Sequence, residues 1–301
     1  MISETAKAHI HIGTSGWSYP DWKGIVYPRD HHLGELTYLS RFLDAVEINN
    51  TFYRPPSPKY CEKWLRDVRG NPDFRFTLKL WRRFTHERDT PWQADDVRAF
   101  RKAIAPLADS GKLGAMLIQF PWSFSRTDAN ADRLRRLAEV FAGLPLAVEV
   151  RHVSWHAPEA IALLREHGLN FCNIDQPGSR QSIGPTNIST GSLAYYRFHG
   201  RNAAKWFDRK AGRDERYDYL YSEQELGPWL RRIADMAARV EQIYVMANNH
   251  YRGQAFTNAL QMKSALLDRP VAAPPALLDH YPALKRVARP ESPGGSLFEC
   301  C

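Results

Sequence analysis

Short apolar and β-branched runs alternate along this chain with longer stretches of helical period. Eight runs have strand character: His9–Gly13, Ala45–Asn49, Phe74–Trp81, Gly114–Phe120, Leu146–Arg151, Asn170–Asp175, Ala194–His199 and Gln242–Ala247. Gly, Pro or Asn flank them, as expected where strands meet turns. Between them, apolar residues recur three and four apart, on one face of a helix. The stripes are Leu36/Leu39/Phe42/Leu43, Cys61/Trp64/Leu65/Val68, Val97/Phe100/Ile104/Leu107, Leu134/Leu137/Ala138/Phe141, Ala160/Ile161/Leu164, Leu226/Leu230/Ile233/Ala237/Val240 and Phe256/Ala259/Leu260/Leu267. Ser57-Pro58 reads as an N-cap followed by the first helical position, and Thr127 or Asp128 can cap a later helix.

Alternating βα units imply parallel strands with right-handed crossovers. Eight units predict a single (β/α)8 TIM barrel over residues 9–268. An open doubly wound sheet is disfavoured, because Gly13-Thr-Ser-Gly16 falls short of a GxGxxG turn. The segment from Gly200 to Ser222, with Trp206, Phe207, Tyr217, Tyr219 and Tyr221, reads as an extended binding loop or lid after strand 7. Residues 269–301 form a Pro-rich tail, in which Leu277, Leu278, Tyr281 and Leu284 should dock on the barrel and the chain beyond Arg289 should fray.

Side chains alternate across a strand, so each barrel strand sends one set to the helices and one to the lumen. With the apolar set outward, the lumen receives Glu47 and Asn49, Thr77 and Lys79, Gln119, Glu149 and Arg151, Asn173 and Asp175, and Tyr195, Arg197 and His199. Asn248 and Asn249 end the eighth strand in an ambiguous register. These positions fall at the C-terminal strand ends, where this fold carries its active sites. The competing reading is a self-neutralising ionic plug, with no ligand.

Composition adds little. Of 301 residues, 41 are Lys or Arg and 33 Asp or Glu, for a formal charge of +8 that favours polyanionic partners. The basic residues are dispersed, and runs such as Arg133/Arg135/Arg136 share a helix with acids. No apolar run approaches the ~18 residues needed to span a bilayer. The first residues lack a signal core. Cys61, Cys172, Cys300 and Cys301 form no CxxC pair. A reduced, cytoplasmic, monomeric protein that does not engage membranes is expected. Tryptophans concentrate in the βα segments, among them Trp17, Trp22, Trp81, Trp92, Trp122, Trp155 and Trp206, joined by Tyr53. Such platforms beside Arg and Lys suit stacked bases or sugar faces; the alternative is an aromatic seal over long loops.

Several of these stretches together resemble the domain-of-unknown-function 72, or YecE-like, family. They are Ile12-Gly-Thr-Ser-Gly-Trp-Ser-Tyr19 with Trp22-Lys-Gly24, Val46-Glu-Ile-Asn-Asn-Thr-Phe-Tyr-Arg-Pro55, Phe74 to Lys79 with Thr85-His86, and Gln119-Phe-Pro121 with Ser123-Phe124. Further on lie Val148-Glu-Val-Arg-His152 with Ser154-Trp155, Tyr196-Arg197 with His199-Gly200, and Asn248-Asn249 with Gly253-Gln-Ala255. At Trp122 the family more often carries a second proline. The resemblance implies a TIM barrel and no settled reaction.

The residues nominate Glu149, Asp175, His199 and Glu47 for acid/base chemistry. Lys79, Arg151, Arg197, Asn49, Gln119, Tyr53, Trp17, Trp22, Trp122, Asn248 and Asn249 are nominated for ligand binding. One divalent metal could be held by Glu47, Glu149, Asp175 and His199, but metal-free chemistry is favoured. No GxSxG, Walker A or HExxH motif is present. The leading expectation is an enzyme or binder for a phosphate-bearing ligand, nucleic acid or nucleotide, with phosphodiesterase-like acid/base hydrolysis. The alternatives are a non-catalytic nucleic-acid or carbohydrate binder and a sugar or sugar-phosphate isomerase or lyase.

Overall fold

The computed structural model describes residues 8–30, 32–208 and 210–291. Eight strands run in sequence order: β1 (His9–Ser15), β2 (Ala45–Ile48), β3 (Arg75–Lys79), β4 (Leu113–Gln119), β5 (Leu146–Glu149), β6 (Asn170–Asp175), β7 (Leu193–Phe198) and β8 (Gln242–Ala247). Each pairs in parallel with the next, and β8 closes on β1. The expected TIM barrel is what forms. Around it lie α1 (Glu35–Leu39), α2 (Pro58–Asp67), α3 (Arg82–Thr85), α4 (Ala94–Asp109), α5 (Asp128–Val140), α6 (Pro158–Glu166), α7 (Ala203–Trp206), α8 (Arg213–Arg216), α9 (Glu223–Ala237) and α10 (Gln254–Leu267). No helix among the described residues is long and apolar enough to cross a membrane.

Local chemistry sets the helix starts. Pro58 takes the first helical position of α2 after Ser57. Thr127 Oγ1 accepts from the Asn130 amide at 3.2 Å and caps α5. Ser222 and Glu225 make a reciprocal capping box on α9.

The strict βα alternation fails once. Residues 176–192, between β6 and β7, contain no helix. The loop after β7 is long, as expected, and is folded into α7 and α8. The C-terminal segment also holds more order than its proline content implies. Strand β9 (Val271–Ala273) pairs in parallel with β10 (Ala288–Pro290), and α11 (Pro275–His280) lies between them. Leu277, Leu278 and Leu284 are buried, as expected. Fraying beyond Arg289 is corrected for its first two residues. Pro290 belongs to β10, and Glu291 pairs with Arg41 at 2.6 Å, a contact that ties the segment to the barrel wall. The rest of the expected fraying falls outside the described residues.

Two apolar layers hold the barrel. The larger packs outward-facing residues such as Val46, Ile48, Val148 and Val245 against the helices. The smaller fills the lumen with Ala45, Ala115, Leu117, Ala147, Cys172, Ile174, Tyr195, Tyr244 and Met246. The small residues let the strands close in: a Cβ on Gly13 would lie 2.0 Å from the Ala45 carbonyl oxygen. Above this plug the lumen turns polar.

Candidate functional site at the barrel mouth

Glu47, Glu149 and Arg197 form a fully buried triad across the top of the lumen. They come from β2, β7 and the end of β5, where a charged residue alternates with apolar ones. Arg197 Nη2 donates to Glu47 Oε1 at 2.7 Å, and its Nη1 to Glu149 Oε2 at 2.5 Å. Glu47 Oε2 accepts from the Tyr195 hydroxyl at 2.8 Å. That hydroxyl has one proton, so Thr77, 2.7 Å away, must donate to it. Ser15 Oγ donates to Glu47 Oε1. Glu149 Oε1 accepts from Gln119 Nε2 at 2.8 Å and from Arg151 Nε and Nη2 at 3.0 and 2.8 Å.

Burial would raise both carboxyl pKa values. Arg197 outweighs it, with help from Lys79 at Glu47 and from Arg151 at Glu149, so both are held below the usual range. Burial opposes the charge on Arg197 too, and the two carboxylates reverse that.

His199 sits beside the triad, fully buried, with Nε2 3.4 Å from Glu149 Oε1. The Asn248 amide donates to its Nδ1 at 3.0 Å, which leaves the ring proton on Nε2, facing the carboxylate. Burial, reinforced by Arg151 and Arg197 against the pull of Glu149, lowers its pKa to about 4. The ring is neutral at physiological pH.

Lys79 is different. Its ammonium lies 4.0 Å from Glu47 Oε1, beyond hydrogen-bond reach, and makes no hydrogen bond within the described protein. Burial and then Arg197 lower its pKa to about 8. Two cavities open beside the triad. One, of about 440 Å³, is bordered by Trp17, Asn49, Phe52, Tyr53, Lys79, Tyr217 and Asn248. The other, of about 580 Å³, is bordered by Trp122, Arg151, Gln176, Arg180, Trp206 and Phe207. Arg151 lies over the Trp206 ring at 5.6 Å. Tyr53, Trp122 and Phe207, which border these cavities, are 67%, 44% and 56% exposed.

Most of the expected site residues therefore converge: Glu47, Lys79, Gln119, Glu149, Arg151, Arg197, His199 and Asn248 meet around the triad, with Asn49, Tyr53, Trp17 and Trp122 on the rim. Three do not. In the β6/β7 register, Cys172 pairs with Tyr195 and Ile174 with Arg197, so Cys172 and Ile174 face the lumen and Asp175 faces outward. Asp175 is bound there by Arg201 Nη2 at 2.6 Å, the Tyr221 hydroxyl at 2.8 Å and Trp229 Nε1 at 2.5 Å. Asn173 is likewise outward, bonded to Thr186 and Ile188 of the helix-less loop. Trp22 is fully buried beneath the rim, donating to the His250 carbonyl at 2.7 Å. Asn249 is fully buried and ties the Tyr219 carbonyl to Asn258. Among the described residues no three His, Cys, Asp or Glu side chains gather as a metal-ligand set.

The sequence reading missed Ser15 and His86 as site residues. Ser15 lies beyond the expected end of β1, which runs two residues further than its apolar pattern. His86 packs edge-on to Phe52 at 4.8 Å, and burial followed by Arg82, Arg151 and Lys79 lowers its pKa to about 4. Trp206, Phe207 and Tyr217 were legible only as part of an aromatic loop.

Comparison with known proteins agrees with the fold. A curated relative, UPF0759 protein YunF of Bacillus subtilis (strain 168), is 28% identical over 270 residues, 85% of this chain and 94% of its own. A DUF72 family protein from Thermotoga maritima MSB8 has a crystal structure matching 86% of this chain and 99% of its own, with 39% identity and a TM-score of 0.77. One from Enterococcus faecalis V583 matches 86% and 96%, with 28% identity and the same TM-score of 0.77. The family model described as "Protein of unknown function DUF72" matches residues 11–279, and the chain belongs to that family.

Proposed function

We propose that the barrel mouth binds a phosphate-bearing ligand with a stackable ring, a nucleotide or a short run of single-stranded nucleic acid. The observation that carries the reading is the charge balance of the triad and its neighbours. Lys79, Arg151 and Arg197 supply three positive charges against the two of Glu47 and Glu149, and the Lys79 ammonium has no hydrogen-bond partner of its own. A partly buried surplus cation favours an anion. Arg151 commits Nε and Nη2 to Glu149, leaves Nη1 uncommitted and borders the larger cavity. Trp122, Trp206 and Phe207 border that cavity and can take a base at ~1–3 kcal/mol each.

The geometry favours binding over acid/base hydrolysis by the acids first nominated. Glu47 and Glu149 are fully buried, accept several hydrogen bonds each and stay ionised. Their role in this reading is to hold cations in place. His199 is equally enclosed.

The test is fluorescence anisotropy with a labelled single-stranded oligonucleotide and with labelled ADP, across a salt series. A charge-assisted contact contributes about 1.5–3 kcal/mol, so K79A and R151A should each weaken binding roughly 10–150-fold. Each should also lower the salt slope of the oligonucleotide by about one. Equal affinity for wild type and the K79A/R151A double variant would remove the basis of the reading.

A further inference from the structure

Lys79 stands apart from the other described lysines. Lys112 is also partly enclosed, but its ammonium is held by the Asn71, Pro72 and Phe74 carbonyls. Lys263 is bonded to Asp44 and the Phe42 carbonyl. The Lys79 ammonium borders a cavity of about 440 Å³, large enough for a small sugar phosphate, and nothing in the described protein accepts a hydrogen bond from it. The aromatic face of Phe52 lies 6.0 Å from its nitrogen. A lysine amine enclosed beside other cations is the arrangement that turns this side chain into a nucleophile.

We infer that Lys79 captures the carbonyl carbon of a phosphate-bearing aldehyde or ketone as an imine, with Arg151 and Arg197 holding the field that draws the phosphate in. This rests on the anion-binding reading above and adds a covalent step to it. The free amine attacks the carbonyl carbon, a C–N bond forms, and the C=O π pair moves to oxygen. The C–O bond then breaks, and water leaves. Relative to the ammonium, two nitrogen protons end on the departing oxygen and the product is a protonated imine, so no net proton and no redox partner is needed. Asn49 and Asn248 border the same cavity and carry amide donors suited to a carbonyl oxygen.

The groups facing Lys79 are Glu47 on β2, Glu149 on β5, Arg197 on β7, Arg151 beyond β5 and His86 after α3. Burial and Arg197 dominate over the carboxylates, and a pKa near 8 makes the free amine more abundant at neutral pH than in an exposed lysine, by roughly two orders of magnitude.

The experiment incubates the full chain with 2-deoxyribose 5-phosphate and sodium cyanoborohydride, then maps adducts by peptide mass spectrometry. 2-Deoxyribose is the phosphate-free control, and orthophosphate is the competitor. Orthophosphate and ADP binding are measured separately by calorimetry. Labelling at Lys79 should exceed that at any other lysine by at least about tenfold. It should fall about tenfold with the phosphate-free sugar, be blocked by orthophosphate, and vanish at that position in K79R. Calorimetric binding without an adduct at Lys79 overturns the imine and leaves the anion site standing. An adduct that ignores both the phosphate group and orthophosphate, with no calorimetric binding, overturns the anion reading itself. If K79R fails to fold, the wild-type adduct map and its phosphate competition still decide.

Discussion

Replacing Arg197 by Met tests the physical core of the site. Methionine keeps much of the aliphatic stem and deletes the guanidinium that links Glu47 and Glu149. Glu149 would keep Arg151 and Gln119. Glu47 would keep Ser15 and Tyr195, but its nearest cation would be Lys79 at 4.0 Å. Breaking a buried pair from one side costs about 3–5 kcal/mol, because a charge is left without compensation. In the native protein both carboxyl pKa values are depressed below their unfolded values. Their contribution is therefore present above the unfolded carboxyl pKa of about 4.3 and lost as pH falls through the folded value. In R197M, burial is no longer outweighed at Glu47, so its folded pKa rises above the unfolded one. That penalty is small in acid and grows as pH rises. The gap between wild type and variant should therefore widen from pH 4.5 to pH 7.5, where the apparent melting temperature should fall by roughly 5–15 °C. Adding E47Q should recover about 1–2 kcal/mol. Urea and thermal unfolding at the two pH values measure this. A gap under about 1 kcal/mol at pH 7.5, or one that narrows with rising pH, would refute the account of the triad.

Three other outcomes are expected. His199 should remain neutral in imidazole NMR from pH 5.5 to 8, and a titration midpoint above 6 would contradict its enclosure. Because its folded pKa is depressed, the protein should lose stability as pH falls from about 6.5 towards 4, where only the unfolded chain takes up the proton. W122A and F207A should each weaken oligonucleotide binding about 5–150-fold with an unchanged salt slope, which separates stacking from charge; a changed slope would place these rings elsewhere. G13A should destabilise the barrel by about 1–3 kcal/mol, since its Cβ would meet the Ala45 backbone, and wild-type stability on denaturant titration would disprove the close approach of β1 to β2.

The barrel and most of its ring could be read from alternation. On β2 and β7, and at the end of β5, a charge sits between aliphatic or aromatic neighbours, and an outer face covered by helices leaves such a charge only the lumen. The rule failed on β6, where Asn173 and Asp175 looked equally inward. There the outer face is covered partly by loop 176–192, whose backbone and Thr186 bond Asn173, and by Trp229 of α9, which bonds Asp175. With polar partners outside, the apolar Cys172 and Ile174 take the lumen. The missing helix itself left a trace, since only seven helical stripes were found for eight strands. Trp22 and Asn249 were misplaced for another reason. Position near a strand end says which rim a residue belongs to, but not its depth, and both lie under the loops they support.

The depth of each charge, more than its presence, is what supports the proposed ligand site over an ionic plug. An ionic plug needs its charges to cancel and its polar atoms to be satisfied. Glu47 and Glu149 meet that standard, each taking donors on both oxygens. The cations do not. Arg197 commits both terminal nitrogens to the triad and leaves its buried Nε unpaired, Arg151 borders one cavity with its Nη1 uncommitted, and Lys79 borders the other with no hydrogen bond from its ammonium. The unspent donors all belong to cations, and two of those cations, Lys79 and Arg151, border the cavities, while Glu47 and Glu149 have no exposed surface. A purely structural network gains nothing from that asymmetry, since burial and then the neighbouring guanidiniums weaken the hold of Lys79 on its own proton. In the proposed reading, an anion entering from above would supply the missing counter-charge and offset the cost of keeping Lys79 poorly paired.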